Sequence, residues 1–460
     1  MEPVLPLEIF GLIIDTVAFT LEKEDLLTCS LVCRDFVPFC QKHIFRDLDL
    51  KWCTAQAKAQ VRRLAQILSG NPSLQKYIKE ISVTHQGFAV EEYDEALDAC
   101  LEPLLHLPNV HDITIHARRG LINYGLSRPD VFGYRSLIGQ YLASGNLTHM
   151  RMSGILELPL LPIISAPKLT YLDLQCCRLA LWSPEERLDL DKSVLKTIIL
   201  FDVDFPPPLV RYFGQLETLV IGSHGGPDPI PPYHLPPRLP GAFTHLQSLT
   251  AWSGIDWKGL LSQESGLGIK AFPVLHDLTI DVATDVEVQS ANAIFRHVVA
   301  VEELYIRGLM SDNTFEGVAL HEGIGNVRRT LKKATITFTW QRFSDGVMRV
   351  VCDAFSGYSE YSLEEFTLEL SFRLLRPVDF QEDLAQYKRL AALFAERDRF
   401  PYLQKVMIKI SLSLQDAPQL GDESGNVVYW KEGLRQLEHR SEVVVDVNVD
   451  VSISVDLDFE

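Results

Sequence analysis

The residues of this 460-residue chain that could do chemistry are scattered rather than grouped. His321-Glu322 is followed by Gly323-Ile324-Gly325, so the second histidine that an H-E-x-x-H zinc site places one helical turn later is missing. Gly266 and Gly268 lack the third glycine of a dinucleotide loop, and neither a Walker loop nor a G-x-S-x-G elbow occurs. Cysteines at 29, 33, 40, 53, 100, 176, 177 and 352 form no C-x-x-C pair and read as buried, reduced thiols. Asp446-x-Asn448-x-Asp450 opens like a calcium loop, but Val451 stands where the loop needs glycine and Leu457 where it needs a bidentate glutamate. Arg328-Arg329-T-L-Lys332-Lys333 is the densest basic run and reads as a solvated helix end. The lone His85, His276 and His297 read as ordinary core or surface residues. No catalytic residue, metal ligand or cofactor is nominated, and the expectation is a protein that works by binding.

The net charge of −18 repels phosphate and anionic lipid, so neither nucleic acid nor membrane is an expected partner. The N-terminal apolar run has no basic leader and is interrupted by Glu8 and Asp15, so neither a signal peptide nor a membrane span is expected there. With unpaired cysteines, this leads to the expectation of a soluble protein, cytoplasmic and/or nuclear. A composition of 47% hydrophobic and 23% charged residues is that of a folded chain, and its length allows a large core.

The elements that must present any binding residues follow from a repeat. The pattern L-x-x-L-x-L, with apolar substitutes, recurs twelve times with anchors at Ile78, Val110, Leu147, Leu169, Leu195, Leu216, Leu246, Leu275, Val301, Leu331, Leu363 and Leu403. Alternation at the end of each copy predicts a strand with one buried face, and helical stretches lie between, as at 92–107, 289–300, 345–355 and 382–398. Ser183-Pro184-Glu185-Glu186 has capping-box spacing. Strand, helix, strand repeated implies parallel strands. Leu169-T-Y-Leu172-D-Leu174-Q-C-Cys177-R-Leu179 resembles a leucine-rich repeat at every position, which implies an irregular leucine-rich-repeat-like solenoid over 76–412. Seven prolines in 225–243 make a stiff insertion in which Pro237-R-L-Pro240 has P-x-x-P spacing. Alternating Val and acidic residues over 441–460 predict a long terminal strand on a sheet edge, within a capping segment 413–460.

Residues 4–50 hold 26 apolar residues in 47, too many for three short helices to hide. On the first helix Ile9, Phe10, Leu12, Ile13, Ile14, Val17 and Ala18 surround the axis, so one face is left over. Leu5-Pro6-L-Glu8-Ile9, Asp25-Leu26-Leu27-T-Cys29-S-Leu31-Val32-Cys33-Arg34-D-Phe36 and Ile44-Phe45-R-D-Leu48-D-Leu50 follow in order, and the segment resembles an F-box, with wording similar to fungal-type F-box proteins. The resemblance implies docking on the Skp adaptor of a Skp, cullin and F-box ubiquitin ligase through Leu5, Pro6, Ile9, Leu26, Leu27, Val32, Cys33 and Phe36. The competing reading is a helical cap that only seals the solenoid. Residues 51–75 are expected as a linker helix, with Ala55, Ala59, Leu64, Ile67 and Leu68 apolar and a stop at Ser69-Gly70-Asn71-Pro72.

The fold class expected is therefore α/β: an F-box over 1–50, a linker helix, and a parallel-sheet solenoid. In each copy the third, fifth and seventh positions face away from the core. In the middle copies these are Tyr171, Ile199, Phe201, Val220, Trp252 and Tyr305, with Arg151 and Arg307 at the margins, which reads as a protein-substrate site unless a loop covers it. The function expected is a non-catalytic substrate receptor for a protein still unknown. The alternative is a leucine-rich scaffold that works without cullin and outside ubiquitination.

Overall fold

The computed structural model describes residues 6–18, 20, 22–51, 54–85, 101–117, 122–125, 134–180, 193–223, 243–252, 254–262, 267–310, 317–340, 345–374, 381–415 and 444–454. Its class is α/β, built on parallel strands joined by helices and loops. The chain forms two compact units, Met1–Phe205 and Pro206–Glu460.

The first unit opens with helices α1 (Leu7–Val17), α2 (Lys23–Val32) and α3 (Val37–Ile44), a short 3-10 turn at Arg34–Phe36 leading into α3. Strand β1 (Asp47–Lys51) follows, then α4 (Ala55–Gly70) and α5 (Pro72–Gln75). Next come β2 (Glu80–His85), β3 (Asp112–Ala117), β4 (Ile122–Asn123), α6 (Tyr134–Ser144), β5 (His149–Ser153), β6 (Ile155–Leu156), α7 (Leu160–Ile164), β7 (Tyr171–Gln175) and β8 (Thr197–Phe201). The sheet order is β1-β2-β3-β5-β7-β8, every pair parallel, while β4 and β6 form a small parallel pair.

The second unit contains β9 (Thr218–Gly222), β10 (Ser248–Ala251), α8 (Trp257–Leu260), β11 (Asp277–Val282), α9 (Asp285–His297) and β12 (Glu303–Met310). It continues with α10 (Leu320–Val327), β13 (Lys333–Trp340), α11 (Asp345–Ser356), β14 (Glu365–Leu374), α12 (Gln381–Ala395), β15 (Lys405–Gln415) and β16 (Val444–Ser454). These eight strands are again parallel and lie in chain order.

The repeated pattern explains this regularity. All twelve anchors are buried, each strand begins two residues after its anchor, and the fourth and sixth residues of each copy, such as Leu172 and Leu174 or Phe366 and Leu368, are buried as well. The residue after the anchor donates its N–H to the same position of the preceding copy, as in Thr148 to His111 or Glu302 to His276, so register passes from strand to strand. Parallel strands covered on one side by helices bury continuous apolar rows. Between β14 and β15 that layer holds Phe355, Tyr361, Phe366, Phe394 and Phe400 with neighbouring rings 4.7–6.3 Å apart.

One boundary differs from the sequence expectation. Residues 47–51 are already a sheet strand paired with β2, so α4 is the crossover between β1 and β2 rather than a linker. Its buried stripe is Ala57, Val61, Ala65 and Leu68, while Ile67 is exposed. The terminal strand is present as β16, parallel to β15 along eleven register pairs. Asp446, Asn448 and Asp450 lie in that extended strand and not in a loop. The expected helices near 289, 345 and 382 correspond to α9, α11 and α12. Most of 92–107, the Ser183 capping box and nearly all of the proline-rich insertion lie outside the described residues.

Candidate protein-docking surfaces

The N-terminal helices close around Ile14, Leu26 and Cys40, with Ala18, Cys29, Phe36, Phe39 and Ile44 packed against them. Gly11 permits the close approach of α1 to α3, since a Cβ there would fall 2.6 Å from a Phe39 ring carbon. The Phe10 and Phe36 rings lie 5.1 Å apart. Asp15 accepts from Lys42 Nζ at 3.0 Å and meets His43 Nε2 at 2.7 Å. The bond to His43, followed by that to Lys42, holds its carboxyl below the usual carboxylate range. Glu22 and Asp25 form a reciprocal capping box at the start of α2. Lys23 Nζ donates to Asp47 O at 2.8 Å and Arg46 Nη2 to Glu80 Oε1 at 3.3 Å, fixing the helices to the first two strands.

That small core leaves much apolar surface outside. Among the described residues fourteen large hydrophobic ones are exposed, and seven of these fall within the first 32 positions: Leu7, Ile9, Leu12, Ile13, Leu27, Leu31 and Val32. Ile9, Leu12 and Ile13 have i, i+3, i+4 spacing and form one stripe on α1, opposite Gly11 and Ile14. Leu27 and Leu31 are one turn apart on α2, and Leu31 is 86% exposed.

Among the residues expected to face an adaptor, Pro6, Ile9, Leu27, Val32 and Cys33 are exposed. Leu26 is not: at 3% exposure it belongs to the core, because on α2 it lies on the side opposite Leu31. Phe36 is half-buried against Phe10, and Leu5 lies outside the described residues. Leu7, Leu12, Ile13 and Leu31 were not among the residues nominated from the sequence, although the helical spacing of Leu27 with Leu31 signals the second of these stripes.

The open face of the first unit, opposite its helices, carries Arg151, Tyr171, Ile199 and Phe201, each half-buried. Register aligns His149 with Tyr171 and Arg151 with Asp173 and Ile199. The Arg151 guanidinium lies over the Tyr171 ring at 5.1 Å and 3.8 Å from Asp112, and the His149 and Tyr171 rings are 5.5 Å apart. Asp173 is buried between these taller neighbours and accepts from Gln175 Nε2 at 3.1 Å. Burial raises its carboxyl above the usual value. Burial also raises Asp47 and Asp112, and Glu80 between them adds repulsion.

The open face of the second unit carries Val220, Trp252, Tyr305 and Arg307, also half-buried. Around them run ion pairs between adjacent strands: Glu302 with Lys332 at 2.6 Å, Glu303 with Lys333 at 3.2 Å, and Glu369 with Lys409 at 2.7 Å. Arg307 is held on the buried Asp281. The basic run at 328–333 is thereby neutralised by its neighbours, with Arg328 also lying over the Tyr358 ring at 5.0 Å.

The other sequence-singled residues have structural partners. His85 is buried against the Tyr134 hydroxyl at 3.0 Å, and His297 lies between the Ile269 carbonyl and the Ala271 N–H. The thiols divide: Cys40, Cys177 and Cys352 are buried, with Cys177 and Cys352 pushed up to about 11 by desolvation. Cys33 and Cys176 are exposed, contrary to the expectation of uniformly buried thiols. Among the described residues no group of three His, Cys, Asp or Glu side chains is placed to hold a metal ion, and no helix is long and apolar enough to cross a membrane. No protein-family model matches the chain, and no curated protein matches it.

Proposed function

We propose that the chain is the substrate-recognition subunit of a Skp, cullin and F-box type ubiquitin ligase, with an F-box at its N-terminus and an irregular leucine-rich-repeat-like region behind it. The observation that carries this reading is the concentration, among the described residues, of half of the exposed large hydrophobic side chains on the N-terminal helices, whose own core is the small cluster of Ile14, Leu26 and Cys40. Such a surface is stable in water only as an interface, and burying each Leu, Ile or Val contributes roughly 1.5–3 kcal/mol. Docking on an adaptor through Ile9, Leu12, Leu27, Leu31 and Val32 covers it. The F-box wording of residues 5–50 names the Skp adaptor as the partner. The open faces, where Arg151, Tyr171, Ile199, Phe201, Val220, Trp252, Tyr305 and Arg307 lie among charged residues, are the surfaces for a protein substrate. The receptor adds no catalytic group; its contribution to rate is to hold the substrate in place.

Affinity purification of the intact chain from cells, beside Ile9→Glu and Leu31→Glu variants, tests the reading. The expected result is recovery of Skp adaptor and cullin with the intact chain and loss of both with either variant. Adaptor without cullin favours a scaffold outside ubiquitination, and neither protein with the intact chain contradicts the proposal.

A further inference from the structure

β16, the last strand of the second unit, pairs with β15 along eleven register positions on one side and has no strand on its other side among the described residues. Which of its backbone groups reach that open side follows from the parity of the ladder. In the inner copies, residues in step with the open-face rows turn their N–H back to the preceding strand, as His149 does to the His111 carbonyl and Trp252 to that of Ile221. Residues in step with the core rows turn it forward, as Gly154 does to the Gln175 carbonyl and Cys176 to that of Phe201. Register puts Val445 and Val447 in step with the buried Val406 and Ile408, and Val449, Val451 and Ile453 continue the same row. These five residues therefore point N–H and C=O away from β15, because both groups of one strand residue lie on the same side. The result is five donors and five acceptors spaced along an edge about 35 Å long. Such an edge is a template on which another extended chain can pair.

Charge decides which chain. The positions in step with the open face are Asp446, Asn448, Asp450 and Ser452, and their register partners on β15 are Met407, Lys409, Ser411 and Ser413. The base in register therefore stands beside Asn448, and it is held by Glu369 of β14 at 2.7 Å. Over 441–460 the sequence has six acidic residues and no basic one. A second copy would bring the same acidic strand edge to edge with itself, where like charges oppose pairing. A strand with Lys or Arg at every other position meets opposite charge instead, and apolar residues at the positions between extend the valine row.

We propose that the outer edge of β16 receives an extended segment of a partner protein by strand addition, and that this segment alternates basic with apolar residues. The inference rests on the substrate-receptor reading and names the class of segment recognised and the edge that recognises it.

Binding of a ten-residue synthetic peptide of alternating Val and Lys to the purified full chain, read by fluorescence anisotropy, tests it beside three others: alternating Val and Glu, the Val-Lys peptide N-methylated at every Lys, and the same peptide N-methylated at every Val. The expected result is that the Val-Lys peptide binds, the Val-Glu peptide does not, and one methylated form alone loses affinity, about tenfold or more. The Lys-methylated form fails if the strand adds parallel, the Val-methylated form if it adds antiparallel, since these are the N–H groups that then face β16. Val449→Pro deletes an outward N–H and spares the donors to β15, so it should unfold thermally like the parent and bind about tenfold more weakly. Asp446→Lys combined with Asp450→Lys should turn the preference to the Val-Glu peptide. No binding, equal effects of the two methylations, equal binding of the Val-Glu peptide by the parent, or a parent dimer in light scattering that Val449→Pro dissolves overturns the inference. Failed peptide binding with adaptor binding intact defeats this inference and leaves the ligase reading standing, whereas peptide binding by a chain that takes no adaptor defeats the ligase reading alone.

Discussion

At the scale of residues, Leu26 and Leu31 separate what holds the N-terminal helices together from what they offer outward. Both are leucines on α2, but one is buried and the other is nearly all in solvent. Leu26→Ala should cost about 2–5 kcal/mol of stability, read as a lowered unfolding midpoint of the N-terminal helices. Leu31→Ala should leave stability within about 0.5 kcal/mol and weaken adaptor binding about tenfold or more. The sequence placed both leucines on one helix but could not tell inward from outward, because α2 has nearly equal apolar character around its axis. The open-face carboxylates give a second residue-scale outcome. Burial raises Asp173 above its unfolded value, so the stability it contributes is fully present below that unfolded value and is lost as pH rises through the folded one. Asp173→Asn should therefore stabilise the chain at pH 7 relative to the parent and have less effect near pH 3, in urea titrations at both pH values. Asp15 has the opposite sign: its carboxyl is lowered, and its contribution is lost as pH falls through the folded value, below the ordinary carboxylate range.

At the scale of elements, the strands were legible because alternation, anchor and polar neighbour repeat in every copy. All twelve predicted strands occur where the pattern places them. β1 escaped notice although Phe45-Arg46-Asp47-Leu48-Asp49-Leu50 has the anchor and the alternation of the other copies, because these residues read only as the end of the N-terminal helical segment. For the same reason α4 read as a linker, although its stripe of Ala57, Val61, Ala65 and Leu68 is that of a helix covering a sheet. The packing of α1 on α3 depends on Gly11. Gly11→Val would drive a side chain into the Phe39 ring and should loosen α1, seen as faster proteolysis confined to residues 1–45 with the parent's sheet unfolding unchanged.

At the scale of the whole molecule, the division of labour is between a small helical surface that is apolar and open, and parallel sheets whose open faces mix aromatic, basic and acidic groups. The aromatic and arginine positions on those faces were readable from strand period alone. Their setting was not: the Asp281 partner of Arg307, the Gly222 seat of Trp252 and the buried Asp173 depend on which strands become neighbours, which the spacing of copies does not state. Cys33, exposed beside Val32, supplies a reporter for the helical surface. The most direct measurement of the central claim is binding of purified Skp adaptor to the purified full chain, followed by calorimetry and by the rate of Cys33 alkylation, with Leu31→Glu as the comparison. The account predicts a stable complex with the parent chain, slowed Cys33 alkylation within it, and neither effect with Leu31→Glu. Equal binding by both chains, or no binding by either, would contradict it.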